Sequence, residues 1–263
     1  MKRILLIIII ILVARSCFSQ STTPIVYNDW KTSNSYIIGT SATALATLFA
    51  IATENPIEIT PQVGPSINWL TPDQELNNFL QSFGTTTGSL SGYSAGAMIS
   101  IPKNILVYKS GIFFESKGGS YTNDNLDLIQ TDNMGNIIGT TKASLSGLSR
   151  LNYLTIPLTI GTQTKGRIRL GIDVGGFVSL PIGEKHQSTF NGVTTDFEPL
   201  SKIGPNVGVM ANAGAKIPIN SKTDFALDAR LLSSLSDAMK DQVGKSFNQG
   251  IQLLVGLNIR INQ

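Results

Sequence analysis

Apolar and polar side chains alternate in this chain over runs longer than an ordinary strand. In residues 167–180 the even positions are Ile168, Leu170, Ile172, Val174, Gly176, Val178 and Leu180. The odd positions are Arg167, Arg169, Gly171, Asp173, Gly175, Phe177 and Ser179. Successive side chains of a strand point to opposite faces, so the run predicts one long strand with a single apolar face. Ordinary strands have about 5–6 residues, whereas a tilted strand that crosses a bilayer needs about 9–11. The length therefore points to a membrane-spanning barrel.

The same alternation recurs at residues 57–69, 203–217 and 251–261, with shorter copies at 93–101, 105–115, 152–160 and 225–231. These runs predict an all-β fold: an eight-stranded antiparallel up-and-down transmembrane β-barrel spanning residues 57–263, preceded by a short N-terminal extension. Pro61, Pro65, Pro157 and Pro205 fall inside the runs and predict bulges or strand ends, because proline cannot donate a ladder bond. The connections sort by length. Residues 70–92, 116–151, 181–202 and 232–250 are long; residues 102–104, 161–166 and 218–224 are short. Long and short alternate without exception, as expected when long loops lie outside the cell and short turns face the periplasm.

The polar face would point into the lumen. Its charged members are Glu58, Lys109, Glu115, Arg167, Arg169, Asp173, Lys216, Asp228, Arg230 and Arg260. An eight-stranded barrel is only wide enough for side chains to fill it, so these residues predict a paired lumen network and a plugged scaffold instead of a pore. Gly64, Gly96, Gly111, Gly171, Gly208 and Gly256 at inward positions suit a crowded interior. Trp69, Tyr93, Tyr108, Phe114 and Tyr153 near strand ends are candidates for an interfacial aromatic belt.

Lys2 and Arg3, the apolar stretch 4–13 and small residues up to Ser19-Gln20 predict a cleavable signal peptide over residues 1–19. Cys17 admits a lipoprotein reading, which the preceding Ala14-Arg15-Ser16 suits badly; if Cys17 is removed, no cysteine remains. Charged residues are 14% of the chain and glycines number 25, an unusual mix for a soluble enzyme and a reasonable one for a lipid-facing barrel. Within the extension 20–56, the uncharged segment 36–53 admits three readings: a helix packed on or in the barrel, a strand or hairpin that augments the sheet, or an inner-membrane helix.

No catalytic, metal or cofactor site is predicted. The single histidine, His186, falls in a predicted surface loop; a Ser-His-Asp arrangement would have to use it, with Ser188 and Asp196 nearby in sequence. Asp124, Asp127 and Asp132 lack EF-hand spacing and read as a polar loop. No P-loop or dinucleotide fingerprint occurs, and no basic block suggests nucleic acid. The partners expected are outer-membrane lipid and proteins at the surface loops or the periplasmic face.

The stretch Ser149-Arg150-Leu151-Asn152-Tyr153-Leu154-Thr155-Ile156-Pro157-Leu158, followed by the glycine-rich run 166–180, resembles the Bacteroidetes-type outer membrane protein beta-barrel domain family, which includes PorT-like proteins. The resemblance covers residues 57 to the C-terminus and supplies no catalytic residues. The residues point to a cell-envelope barrel acting as a structural or interaction protein through its long loops, and the resemblance allows a second reading, an accessory subunit of an export system at the outer membrane. A periplasmic lipocalin-like barrel is a further alternative, and it would need an apolar interior with the charged set facing out.

Overall fold

The alternating runs do form strands, and the strands close on themselves. In the computed structural model residues 56–131, 134, 137–197, 203–238 and 245–261 are described. The predicted signal peptide, Cys17 and the segment 36–53 lie outside them. In chain order the elements are β1 (Glu58–Pro72), α1 (Gln74–Ser82), β2 (Thr86–Lys103), β3 (Leu106–Thr131), β4 (Ile137–Gln163), β5 (Arg169–Phe190), β6 (Val193–Phe197), β7 (Asn206–Pro218), β8 (Thr223–Ser234) and β9 (Ser246–Arg260). Each strand pairs antiparallel with its sequence neighbour, β5 continues to β7, and β1 pairs with β9 to complete an eight-stranded ring. β6 pairs with β5 alone and stands outside the ring.

Three connections at one end are tight. Asn104 and Ile105 join β2 to β3, with Asn104 at φ 59°, a left-handed position that asparagine tolerates better than most residues. Residues 164–168 and 219–222 make the other two, and the ring's first and last residues, Glu58 and Arg260, pair at this same end.

The other end differs from expectation. The predicted loop 116–151 is mostly strand: β3 and β4 continue as a hairpin to Thr131 and Ile137. The predicted loop 181–202 contains the rest of β5, a turn at Asn191-Gly192 and β6. The predicted loop 70–92 holds the end of β1, helix α1 and the start of β2. Asp73 caps α1, its carboxylate accepting from the Leu76 amide at 2.9 Å. Asp124 and Asp127 accordingly lie in β3, not in a loop, whereas Asp132 is outside the described residues. Pro61, Pro65 and Pro157 do not mark breaks, since β1 keeps one register with β2 through the first two and β4 with β5 through the third, whereas Pro205 stands just before the start of β7. Register shifts lie elsewhere, between Gly88 and Ser94, Asn123 and Leu126, and Asn152 and Tyr153.

In the ring the exterior is aliphatic. β5 exposes Leu170, Ile172, Val174 and Leu180; β9 exposes Ile251, Leu253, Val255, Leu257 and Ile259; Val63, Ile67, Ile112, Leu158, Ile160, Val209, Leu227 and Leu231 continue the belt around the other strands. Ten residue steps along β5 at about 3.3 Å each, tilted by roughly 40°, give about 25 Å, the height of the apolar band of an outer-membrane barrel. The polarity is the reverse of a soluble ligand-binding barrel, because the charged side chains face inward and the aliphatic ones outward. Trp69, Tyr93 and Phe114 sit at the belt's outer edge, with Tyr93 stacked on Phe114 at 5.7 Å. Tyr153 does not belong to that belt; it is fully buried and points inward.

The interior is filled in layers. Met98, Phe113 and Leu254 make one apolar cluster, and Phe177, Met210 and Leu232 another. Each large ring faces a glycine across the ladder, Phe113 opposite Gly96 and Phe177 opposite Gly208. A Cβ on Gly208 would meet the Phe177 ring at 2.5 Å, so only glycine leaves room there.

Candidate functional site: the barrel interior and its outer mouth

The inward alternate positions carry the charge, and the closed ring brings them face to face. At the turn end, Arg169 joins Glu58 at 2.7 Å and also bonds Asp224. Lys216 pairs with Glu58, and Arg260 with Asp224. Asn258 donates to Asp224 at 2.8 Å and accepts from Thr60 at 2.8 Å. One layer on, Asp173 accepts from Lys109 at 2.5 Å and from Asn212 at 3.1 Å, and Asn212 also reaches Asp228 at 3.2 Å.

A third group surrounds Glu115, a carboxylate with no exposed surface. Lys117 lies 2.8 Å away, Thr155 donates at 2.6 Å and Gln252 at 2.9 Å. The Lys117 ammonium also sits over the Phe177 ring at 4.6 Å, and the Arg230 guanidinium over Phe113 at 4.3 Å. Buried charges of this kind are tolerated because each is paired or hydrogen-bonded; isolated, each would be strongly unfavourable.

Glu58, Lys109, Glu115, Arg169, Asp173, Lys216, Asp228, Arg230 and Arg260 all face inward. Arg167 does not. It is exposed in the turn between β4 and β5, two residues before β5 begins. The sequence reading missed Lys117 and Asp224, both buried and both ion-paired. The alternation itself could have found them: Lys117 follows Glu115 by two, and Asp224 precedes Asp228 by four, on the same faces. Corrected in this way, the lumen holds the carboxylates Glu58, Glu115, Asp173, Asp224 and Asp228 against the cations Lys109, Lys117, Arg169, Lys216, Arg230 and Arg260, a near balance. The space left at the turn end, lined by Lys109, Arg169, Lys216 and Asp228, is about 10 Å³, roughly enough for one water.

The outer mouth is closed by different chemistry. Leu151, Tyr153 and Ala238 form a buried apolar cluster with Leu70 and Ile203 against it. His186 is not a solvated loop residue; it lies in β5, is buried, and stands directly across the ladder from Ser149. Its Nδ1 is 2.9 Å from the Ser149 hydroxyl and its Nε2 3.1 Å from the Glu184 carboxylate. Neither Ser188 nor Asp196 takes that place: Asp196 binds Gln187 at 2.8 Å on the opposite face. Acid, imidazole and hydroxyl thus stand in a row, but the hydroxyl is buried within a sheet face. Among the described residues, no cluster of three or more His, Cys, Asp or Glu could hold a metal ion.

The chain matches no protein-family model and no curated protein. Solved structures align with the chain at low identity. Ail, the attachment invasion locus protein of Yersinia pestis, aligns at 9% identity with a TM-score of 0.36, over 77% of this chain and 98% of that one. The outer membrane protein OprG from Pseudomonas aeruginosa aligns at 10% identity and a TM-score of 0.39, over 80% of this chain and 98% of that one. The outer membrane protease OmpT from Escherichia coli aligns at 6% identity and a TM-score of 0.35, over 79% and 97%.

Proposed function

We propose that the chain is an outer-membrane barrel with a closed lumen, acting as a structural or interaction protein through the β-structure above its apolar belt. The observation that carries this reading is the pairing of an aliphatic exterior with an interior in which charge is nearly balanced and large side chains fill successive layers. An aliphatic exterior has no soluble role at this scale, since exposed apolar patches on monomeric soluble proteins rarely exceed a few hundred Å². A balanced and packed lumen supports scaffold over conduit.

The test has two arms. Detergent-extracted protein run on a gel with and without boiling should migrate as two forms, and fractionation should place it with outer membranes; recovery in the soluble periplasm would overturn the membrane reading. In planar bilayers the native barrel should show no steady conductance. Stable open channels would overturn the closed lumen while leaving the membrane placement intact. The strand that carries Tyr153-Leu154-Thr155-Ile156-Pro157 keeps a second reading in view, an accessory role in export resembling the PorT-like proteins. Deleting the gene should then block secretion of exported proteins, and unchanged secretion would remove that reading.

A further inference from the structure

The three short turns each present an exposed isoleucine and at least one exposed cation. The β2–β3 turn presents Lys103 and Ile105, the β4–β5 turn Lys165, Arg167 and Ile168, and the β7–β8 turn Ile219 and Lys222. The three isoleucines are 63%, 53% and 60% exposed. The four cations are exposed as well, and none forms an ion pair with a described residue. The carboxylates at this end, Glu58 and Asp224, are buried in the lumen and bound by Arg169, Lys216 and Arg260. Among the described residues, then, the exposed turn surface holds cations and no carboxylate. The opposite end mixes signs, with exposed Glu75, Asp124, Asp127 and Asp196 among Lys142, Lys185 and Lys245.

The belt sets the height of these cations. On β5 the exposed aliphatic row runs down to Ile168, on β7 to Ile217 and Ile219, and on β3 to Leu106 and Ile105. The cations begin where the belt ends. A hydrocarbon boundary at the isoleucines puts the ammonium and guanidinium groups level with the phosphates of the facing leaflet. Lysine and arginine stems suit that position, since the stem lies along apolar surface while the head stays in the polar layer.

We propose that the turn end is a contact surface for anionic phospholipid headgroups, in which Lys103, Lys165, Arg167 and Lys222 engage phosphates while Ile105, Ile168 and Ile219 seat in the acyl boundary. The proposal rests on the lipid-facing reading of the belt. It makes the barrel selective for the lipid of one leaflet and gives it a fixed orientation and depth.

The experiment uses the full chain reconstituted in vesicles of phosphatidylcholine alone or mixed with phosphatidylglycerol. Insertion is read first, from protease protection of the barrel. Lipid preference is read second, as the ratio of phosphatidylglycerol to phosphatidylcholine retained on the protein in native mass spectrometry. The expected result is enrichment of phosphatidylglycerol by about tenfold or more, suppressed by salt. It should fall to no preference in the quadruple variant K103Q/K165Q/R167Q/K222Q and persist in K142Q/K185Q/K245Q, which alters only the outer end. Normal insertion of the quadruple variant with its preference intact would overturn the proposal and spare the belt reading. Equal loss in the outer-end variant would also overturn it. Failure of the wild-type chain to insert in either lipid would sink both. Tight binding of soluble polyglutamate to the turn end in detergent, without any preference among lipids, would assign the surface to an acidic protein partner instead.

Discussion

Strand β4 passes through two solvents, and its side chains change accordingly. In the ring its outward residues are Leu154, Ile156, Leu158 and Ile160, and its inward residues include Thr155 and Thr159. Over residues 142–152 its outward residues are Lys142, Ser144, Ser146, Arg150 and Asn152, with Leu148 the exception, and the inward residues over 143–153 include Ala143, Leu145, Leu151 and Tyr153. The phase of alternation is unbroken and its polarity inverts. Below the switch the strand is apolar outward and polar inward, as lipid demands; above it the strand is polar outward and apolar inward, as water demands. The switch falls between Asn152 and Leu154, level with the register shift that pairs Asn152 with Gly183 and Tyr153 with Pro181 in β5. The wall above it, built from β3, β4, β5 and β6, is a soluble-style sheet on a membrane-style ring.

Lys117 stands at that switch, and its loss should have the largest effect. Lys117→Met removes the cation beside the fully buried Glu115. Breaking a buried ion pair from one side costs about 3–5 kcal/mol. Urea unfolding of the barrel in lipid should show that loss, and the double variant E115Q/K117M should recover much of it. A double variant no better than the single one would mean that the ammonium matters for its packing on Phe177, not for its charge.

The two regions should respond oppositely to one new charge. Val174→Lys, on the outward face near the middle of the β5 belt, should destabilise the barrel in bilayers by about 2–4 kcal/mol. Ser146→Lys, on the outward face of β4 above the switch, should change stability by no more than about 0.5 kcal/mol. Similar costs at both sites would mean that the belt does not end where the polarity of β4 inverts.

The same inversion explains what could be read from sequence. The ring was legible because apolar-outward alternation is unusual over such lengths, and residues 167–180 and 251–261 carry it almost without exception. Tight turns such as 102–104 were legible because they interrupt it briefly. The wall was not, because residues 142–152 alternate in the opposite sense, with Ser, Lys and Arg where the ring has Leu and Ile, and a search for one polarity reads them as loop. Bulges add a second obstacle. The extra residue near Ile182 shifts the inward set of β5 from odd to even positions, which carries His186 into the buried face opposite Ser149. A local sign of the β5–β6 hairpin was nevertheless present: Asn191-Gly192 between Phe190 and Val193 is a strong two-residue turn signal. Of the lumen network, the members inside the recognised runs were found, and Lys117 and Asp224, just beyond the ends of runs 105–115 and 225–231, were not.

That turn offers a way to perturb the wall alone. Asn191 and Gly192 have φ of 46° and 83°, left-handed values that favour glycine at the second position. Gly192→Ala should cost about 1 kcal/mol, confined to the hairpin. Hydrogen exchange should speed up in residues 186–197 and stay unchanged in β7–β9. Faster exchange throughout the ring would show that wall and ring unfold as one unit.

The smallest expected effect lies on the wall's outer face. A hydrogen bond from Gln187, with the Lys185 ammonium 3.5 Å away, holds the Asp196 carboxyl below the ordinary carboxylate range. A group whose folded pKa is lowered adds stability above its unfolded pKa and loses it as pH falls through the folded one. The β5–β6 hairpin should therefore keep its protection from neutral pH down to the ordinary carboxylate range, then loosen slightly on further acidification. Asp196→Asn should abolish that acid-dependent change while leaving the neutral-pH exchange of the hairpin nearly as it was, since exposed pairs contribute little. If Asp196→Asn leaves the acid response of the hairpin intact, the response comes from another group and the Gln187–Asp196–Lys185 contacts do not set it.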